Sequence, residues 1–209
     1  PLVLVLAAGL LLTGCQQEKT IKIGYVTEQT GVEAYIGQAT VPALQDYIDE
    51  VNAAGGVGGY KLQLVAYDTR SEVTDAVSVT KRLIEQDRVT AVIGPSWSAA
   101  AIPMAEIADT NQVPIIATTA SNVNVTVDEK GELNPFMFRV CFIDPYQGFA
   151  LADYAYNELG KRKVAFLTDV ASPYSVGIQR YFAEHFVELG GEVVAEEGYQ
   201  TGDTEFRAQ

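Results

Sequence analysis

A doubly wound α/β fold is what this sequence predicts, and three features predict it. Short β-branched runs alternate with longer stretches of helical period, as in a parallel sheet flanked by helices. Glycines and prolines punctuate the changeovers. The 209 residues are 48% hydrophobic and 20% charged, the ordinary proportions of a globular chain with one or two cores.

Ile21 to Val26 reads as the first strand, and Val41, Leu44, Ile48 and Val51 then recur at spacings of three and four on one helix face. Pro42 has no backbone N–H, so that helix is expected to begin within about a turn before it. Gly55 and Gly56 end it, and the neighbouring Gly58 and Gly59 are turn residues. Lys61 to Tyr67 is a second strand, followed by a helix near Glu72 to Gln86 and a third strand, Val89 to Ile93. Gly94-Pro95-Ser96 leads into a helix from about Trp97. Val113 to Ala117 and Phe136 to Val140 read as further strands, joined by a long turn-rich connection. A second set then starts: a helix from Pro145 to Leu159, a strand Lys163 to Leu167, a helix Ser175 to Leu189, a strand Glu192 to Tyr199 and the beginning of another helix near Gln209. The changeover at Phe142 to Asp144 divides residues 21–142 from residues 143–209.

Charge and composition exclude several functions. With a net charge of −13 the chain lacks the clustered Lys and Arg that nucleic-acid binding draws on. The two cysteines, Cys15 and Cys141, cannot build a disulfide framework or a cysteine metal site, and Cys141 is expected as a small buried hydrophobe. No dinucleotide fingerprint, Walker loop, nucleophile elbow or H-E-x-x-H motif is present. His185, the single histidine, sits among Glu184 and Glu188 on what reads as a solvated helix face, a poor place for a base or ligand. Neither a cofactor nor a metal is implied.

Pro1 to Leu12 is almost purely apolar, a length that fits a signal-peptide core better than a membrane span of about 20 residues. Leu12-Thr13-Gly14-Cys15 follows and resembles the lipobox at which bacterial lipoproteins are cleaved and acylated on cysteine. Residues 1–20 are therefore expected to be a lipoprotein signal and tether with Cys15 as the lipid-bearing residue, preceded in the whole protein by a basic leader.

In open α/β sheets ligands sit beyond the carboxyl ends of the strands, so the residues following each strand are the candidates. Gly31 permits a sharp turn after strand one, where Tyr35 offers an aromatic wall. Asp68, after strand two, suits a ligand contact or, more ordinarily, a cap on the next helix. After strand three, small residues from Gly94 to Ala100 meet a helix N-terminus, where free N–H groups and the dipole favour a carboxylate. A plain serine cap with Trp97 as packing explains the same residues. Thr118 to Asn122, after strand four, offers hydroxyls and carbonyls to an ammonium group, and is equally an ordinary polar loop.

Taken together, Ile21-Lys22-Ile23-Gly24, Gly31 to Gly37, Val51 to Leu62, Ala91 to Gly94, Val113 to Ile116, Phe138-Arg139 with Asp144 to Gly148, and Tyr174 to Gly177 resemble the branched-chain amino acid type of ABC-transporter substrate-binding protein. The resemblance runs from Ile21 to Phe206. It implies the type I periplasmic binding protein fold: two doubly wound lobes, the first incomplete and the second truncated within these residues. It implies that Ser98 meets a ligand carboxylate, that the Thr119 main chain and Ser121 hydroxyl meet its ammonium, and that Tyr174 closes over it from the second lobe. Tyr35 stands one residue before the family's loop aromatic, and Trp97 is placed to narrow the pocket. An acidic residue for the ammonium would come from a later part of the family chain. The implied function is capture of a small ligand, a branched-chain amino acid or related amide, without catalysis, for delivery to an ABC permease. The implied location is the periplasmic or outer face of the envelope, through a membrane anchor on Cys15. A ligand-sensing receptor domain of the same fold is the alternative that the lipobox opposes. An α/β enzyme is a weaker one, because no paired catalytic groups can be named.

Overall fold

A computed structural model describes residues 19–209, so Cys15 and the lipobox-like segment lie outside the described residues. β1 (Thr20–Thr27), β2 (Lys61–Asp68), β3 (Ala91–Ile93), β4 (Ile115–Ala117) and β5 (Met137–Arg139) form one sheet in the order β2-β1-β3-β4-β5, parallel throughout. α1 (Ala34–Ala53) connects β1 to β2, α2 (Val73–Glu85) connects β2 to β3, and α3 (Ser98–Asn111) connects β3 to β4. The chain leaves β1 in one direction and returns across it in the other. Right-handed crossovers therefore place α1 on one face and α2 and α3 on the opposite one. The core lies under α2 and α3, where Leu83, Met104, Val26, Val92 and Ile115 are buried. Ala100, Ala101, Ala105 and Ala108 give α3 a small-residue face that lets it sit close among them.

A second, two-stranded parallel sheet follows. Its strands are β6 (Lys163–Asp169) and β7 (Glu192–Tyr199), with a bulge between Val164 and Ala165, and α4 (Asp144–Asp153), a π-helical turn at Tyr154–Glu158 and α5 (Pro173–Glu188) accompany them. Its core is aromatic. Phe186 is fully buried, stacks on Phe182 at 5.5 Å and meets Tyr156 edge-on, while Phe166 meets Phe182 edge-on at 5.4 Å.

The structure corrects several local expectations. α1 begins at Ala34, two turns before Pro42. Proline frees the carbonyl four residues back, and both Pro42 and Gln38 are exposed, where a freed carbonyl is open to solvent. The early turns are held instead by Tyr25, whose hydroxyl pairs with Thr40 Oγ1 at 2.5 Å. β3 and β4 are shorter than their apolar runs: Val89 N bonds to Leu83 O at the end of α2, and Pro114 has no N–H to give a ladder. No helix forms between 200 and 209; Asp203 instead closes a turn on Gln200, and Phe206 packs edge-on against Tyr199. His185 is less open than a solvated helix face implies. Only 23% of its side chain is exposed, and it bridges Asp153 on α4 (3.2 Å) and Glu188 on α5 (3.1 Å). Cys141 is not fully buried either, because it lies between β5 and α4 at the edge of a cleft.

Leu83 has no exposed surface and lies against Gly24 and the sheet. Leu83→Ala is expected to lower stability by about 2–5 kcal/mol, read as a reduced urea midpoint with unchanged slope.

Candidate functional site

The strand order reverses between β1 and β3, and a cleft of about 460 Å³ opens there, beyond the carboxyl ends of the strands. One wall comes from the loops after β1, β3 and β4, and the opposite wall from the loop between β6 and α5 together with Gln147 and Thr201; Cys141 and Phe142 lie between them. All six residues singled out as ligand contacts, Tyr35, Trp97, Ser98, Thr119, Ser121 and Tyr174, line it.

The N-terminus of α3 opens into this cleft. Trp97 precedes it with an extended backbone, and no side chain caps the helix. Ser98 is the first helical residue, and its Oγ accepts a hydrogen bond from Asn122 N at 3.2 Å. A serine cap is therefore not the explanation of this segment. The first N–H groups of α3 have no intrahelical acceptor, and the dipole adds a partial positive charge at that end. Trp97 Nε1 is buried without a hydrogen-bond partner among the described residues.

The loop after β4 is held from two sides. Thr119 Oγ1 donates to Ser96 O at 2.6 Å, tying it to the β3 loop. Arg139, at the end of β5, donates to Ala120 O (3.3 Å), Asn122 O (2.7 Å), Val123 O (3.2 Å) and Thr126 Oγ1 (2.7 Å). One guanidinium thus gathers carbonyls that this irregular segment has no ladder to satisfy. Asn122 caps the short 3-10 turn Val123–Val125 through Oδ1, and its Nδ2 donates to Pro173 O at 2.8 Å, reaching the second sheet's layer.

Asp144 sits beneath that loop. It is 0% exposed, and its N–H bonds to Ser121 O at 3.0 Å. Ser121 and Asn122 face its carboxylate, but neither closes a hydrogen bond to it, and Ser121 Oγ is itself buried without a partner. Burial raises the Asp144 pKa, against the pull of Ser121, Arg139 and Asn122. Gly177 of α5 rests directly on this group; a Cβ there would collide with Asp144 Oδ2.

On the opposite wall Tyr174 is 43% exposed, with its hydroxyl 3.4 Å from Gln147 Oε1. Ser172 caps α5, and Asp169 accepts from Ala171 N at 3.0 Å and from Thr201 Oγ1. Tyr35 is 69% exposed on the rim, and a hydrogen bond to Glu33 raises its pKa. The sequence reading does not single out Glu33, Asp169 or Gln147, and it takes Cys141 only as a small buried hydrophobe. Asp169 ends a strand, so the post-strand rule reaches it, whereas Gln147 lies mid-helix and carries no such signal. Asp68 lies outside the cleft and does not cap α2. Its carboxylate accepts from the N–H groups of Gln29, Thr30 and Arg70 and from Thr30 Oγ1, fastening the β1 loop to the β2 loop. Burial pushes its pKa up, but these bonds outweigh burial and hold it below its ordinary value. Among the described residues no cluster of three His, Cys, Asp or Glu is placed to hold a metal ion.

Residues 20–209 match the family model described as periplasmic binding protein. An amino acid binding protein of Pseudomonas aeruginosa is 35% identical over 90% of this chain and 49% of its own length. The branched-chain amino acid transporter substrate-binding protein LivJ of Streptococcus pneumoniae, solved in complex with isoleucine, superposes with a TM-score of 0.81 at 38% identity, covering 91% of this chain and 52% of that one. The leucine-binding protein LivK of Thermotoga maritima gives 0.81 at 38% identity over 90% and 51%. The chain thus spans about half the length of the relatives it matches.

Two outcomes follow from the junction below the cleft. Arg139→Lys cannot reach the same carbonyls and is expected to cost about 1.5–3 kcal/mol in urea unfolding, the worth of a charged hydrogen bond. Asp144 has a pKa raised above its ordinary 3.8, so the stability it contributes is fully present below that value and is lost as pH rises through the folded one. The stability of Asp144→Asn relative to the natural protein should therefore improve as pH rises from about 4 to about 7, measured by urea unfolding at each pH.

Proposed function

The chain belongs to the periplasmic binding protein family, and from that premise we propose that it is the ligand-holding part of an extracytoplasmic solute-binding component of an ABC importer. Its ligand is a small zwitterion of the amino acid class, and it binds without catalysis. The observation that carries this reading is the lining of the cleft. Among the described residues it includes the carboxylates Glu33 and Asp169 and neither Lys nor Arg, while the N-terminus of α3 opens into it. A simple anion would face two like charges and no cation; a zwitterion has a positive end for the acids and a negative end for the helix. A cleft of about 460 Å³ is within the range that holds small molecules.

In this reading the ligand carboxylate lies at Ser98 and the first N–H groups of α3. The ammonium lies at the Thr119 carbonyl and Ser121 hydroxyl, above Asp144. Tyr174 closes from the far wall, Tyr35 forms the rim, and Trp97 narrows the space for the side chain. Residues 21–142 act as the first lobe and residues 143–209 as part of the second, and the ligand favours their closed arrangement. The isoleucine held by the Streptococcus pneumoniae relative supports an aliphatic amino acid or related amide as cargo. A permease then receives the closed form. The Leu12-Thr13-Gly14-Cys15 sequence supports a lipid anchor on Cys15 and a place on the outer side of the cytoplasmic membrane.

A thermal-shift screen of the full natural chain against amino acids, short amides, urea and aromatic acids tests this directly. A ligand at about 100 times its Kd adds about 2.7 kcal/mol and should raise the melting midpoint by several degrees. Response to des-amino acids but not to their amino counterparts would overturn the zwitterion reading. Ser98→Ala should weaken the hit by roughly 10- to 100-fold in calorimetry, the loss of one charge-assisted bond; unchanged affinity would remove Ser98 from the site.

A further inference from the structure

Glu28 is a carboxylate shut away at the switch point, 1% exposed, and no contact described so far uses it. It follows directly on β1. Continuing the register in which Tyr25 lies opposite Ile93 brings Glu28 level with Ser96. Ser96 Oγ donates to Glu28 Oε2 at 2.9 Å, and Ser96 N points to Oε1 at 3.4 Å. α1 closes the other side, where Gly37 comes so near the Glu28 carbonyl that a Cβ would collide with it. Ser96 also accepts from Thr119 Oγ1 through its carbonyl. Two residues beyond Ser96, at most about 7 Å along the backbone, stands Ser98 at the N-terminus of α3, so the residue bonded to the buried acid is a near chain neighbour of the one proposed to meet an anion.

We propose that Glu28 sets how tightly the cleft holds a carboxylate: its charge, fixed behind Ser96, opposes the ligand carboxylate at Ser98, and a proton is taken up at Glu28 when the ligand binds. The inference rests on the zwitterion reading of the cleft. Like charges in a partly desolvated setting disfavour each other's ionised forms, and the buried member, having no cation beside it, is the one that yields. Burial already pushes the Glu28 carboxyl above its ordinary 4.5, while Ser96 pulls it down and Glu33 pushes it further up. Glu33 is the charged group that bears on it among the described residues; Ser96, Gly37 and Thr27, packed around it, are uncharged. A bound anion raises the Glu28 pKa again. Between the free and bound values a proton enters with each ligand, and affinity rises as pH falls. Asp144, beneath the ammonium end, works in the opposite sense, because a cation favours its ionised form and releases a proton. The contribution of Glu28 is therefore read as the difference between the natural protein and a variant.

Isothermal titration of the full natural chain with isoleucine, from about pH 7.5 to about pH 5 and in two buffers of different ionisation heat, measures both affinity and protons exchanged. Glu28→Gln keeps its contacts, since an amide can accept from Ser96 N and donate to Ser96 Oγ. It is expected to bind isoleucine about tenfold more tightly near neutral pH, equivalent to one pKa unit of relieved repulsion, and to lose the proton uptake. Glu28→Asp, which restores the charge, should restore the uptake. An uptake and pH slope in Glu28→Gln equal to those of the natural protein would overturn the proposal, as would weaker binding by that variant at every pH in a protein with an unshifted melting midpoint. Failure of the natural protein to bind isoleucine or any other amino acid would instead sink the zwitterion reading, and this inference with it.

Discussion

The parallel pairing of β1 with β2 on one side and β3 on the other governs the rest of the molecule. Parallel neighbours cannot be joined by a tight turn, so each connection must cross the sheet as a helix, and right-handed crossovers send α1 and α2 to opposite faces. The loops leaving β1 and β3 therefore diverge, and a gap opens between them at the carboxyl edge. Strand order alone makes that gap; the residues placed after the strands decide what it holds. The same register explains why Glu28 and Ser96 meet, since both lie just beyond the last paired positions of neighbouring strands.

Irregular segments around the gap would leave backbone groups unpaired, and partly buried side chains meet that need. Arg139 does so for the β4 loop with four hydrogen bonds, and Asp68 fastens the β1 loop to the β2 loop. Asp144 differs from both, because its carboxylate is buried without a completed hydrogen bond while lying against Ser121, Asn122 and Gly177. Such a group is costly in isolation. Its place between the two sheets' layers ties the polarity of the cleft floor to the contact between them.

Much of this was legible in the sequence because apolar periodicity reports local structure directly. The strand runs and the 3- and 4-residue spacings located the elements, and the post-strand rule brought Ser98, Thr119, Ser121 and Tyr35 to one edge. What escaped depended on distant packing. Pro42 misplaced the start of α1 because the sequence does not show that its helix face is wet. His185 looked solvated because Phe149 and Asp153, which enclose it, come from another helix. Arg139 and Asp144 stood within the segments carrying the family resemblance, yet nothing local disclosed that one gathers carbonyls and the other lies beneath Ser121. Glu28 looked like a loop acid, and only the pairing of β1 with β3 shows that it is enclosed.

In the proposed reading the cleft joins an anion site made of dipoles to the acidic side chains Glu33 and Asp169. A lysine or arginine at Ser98 would grip a carboxylate more strongly, but it would need its own desolvation offset and would draw in Glu33 or Asp169 across the cleft. The N-terminus of α3 carries about half a positive charge in fixed N–H groups, which need no side-chain ordering and cannot swing to a competing acid. On that proposal, Glu28 behind Ser96 weakens the terminus further, while Asp144 beneath Ser121 favours the ammonium. In the proposed reading, affinity for a zwitterion comes from two opposed, moderate fields and not from one strong ion pair, an arrangement that would discriminate against anions and cations alike and still let the ligand go.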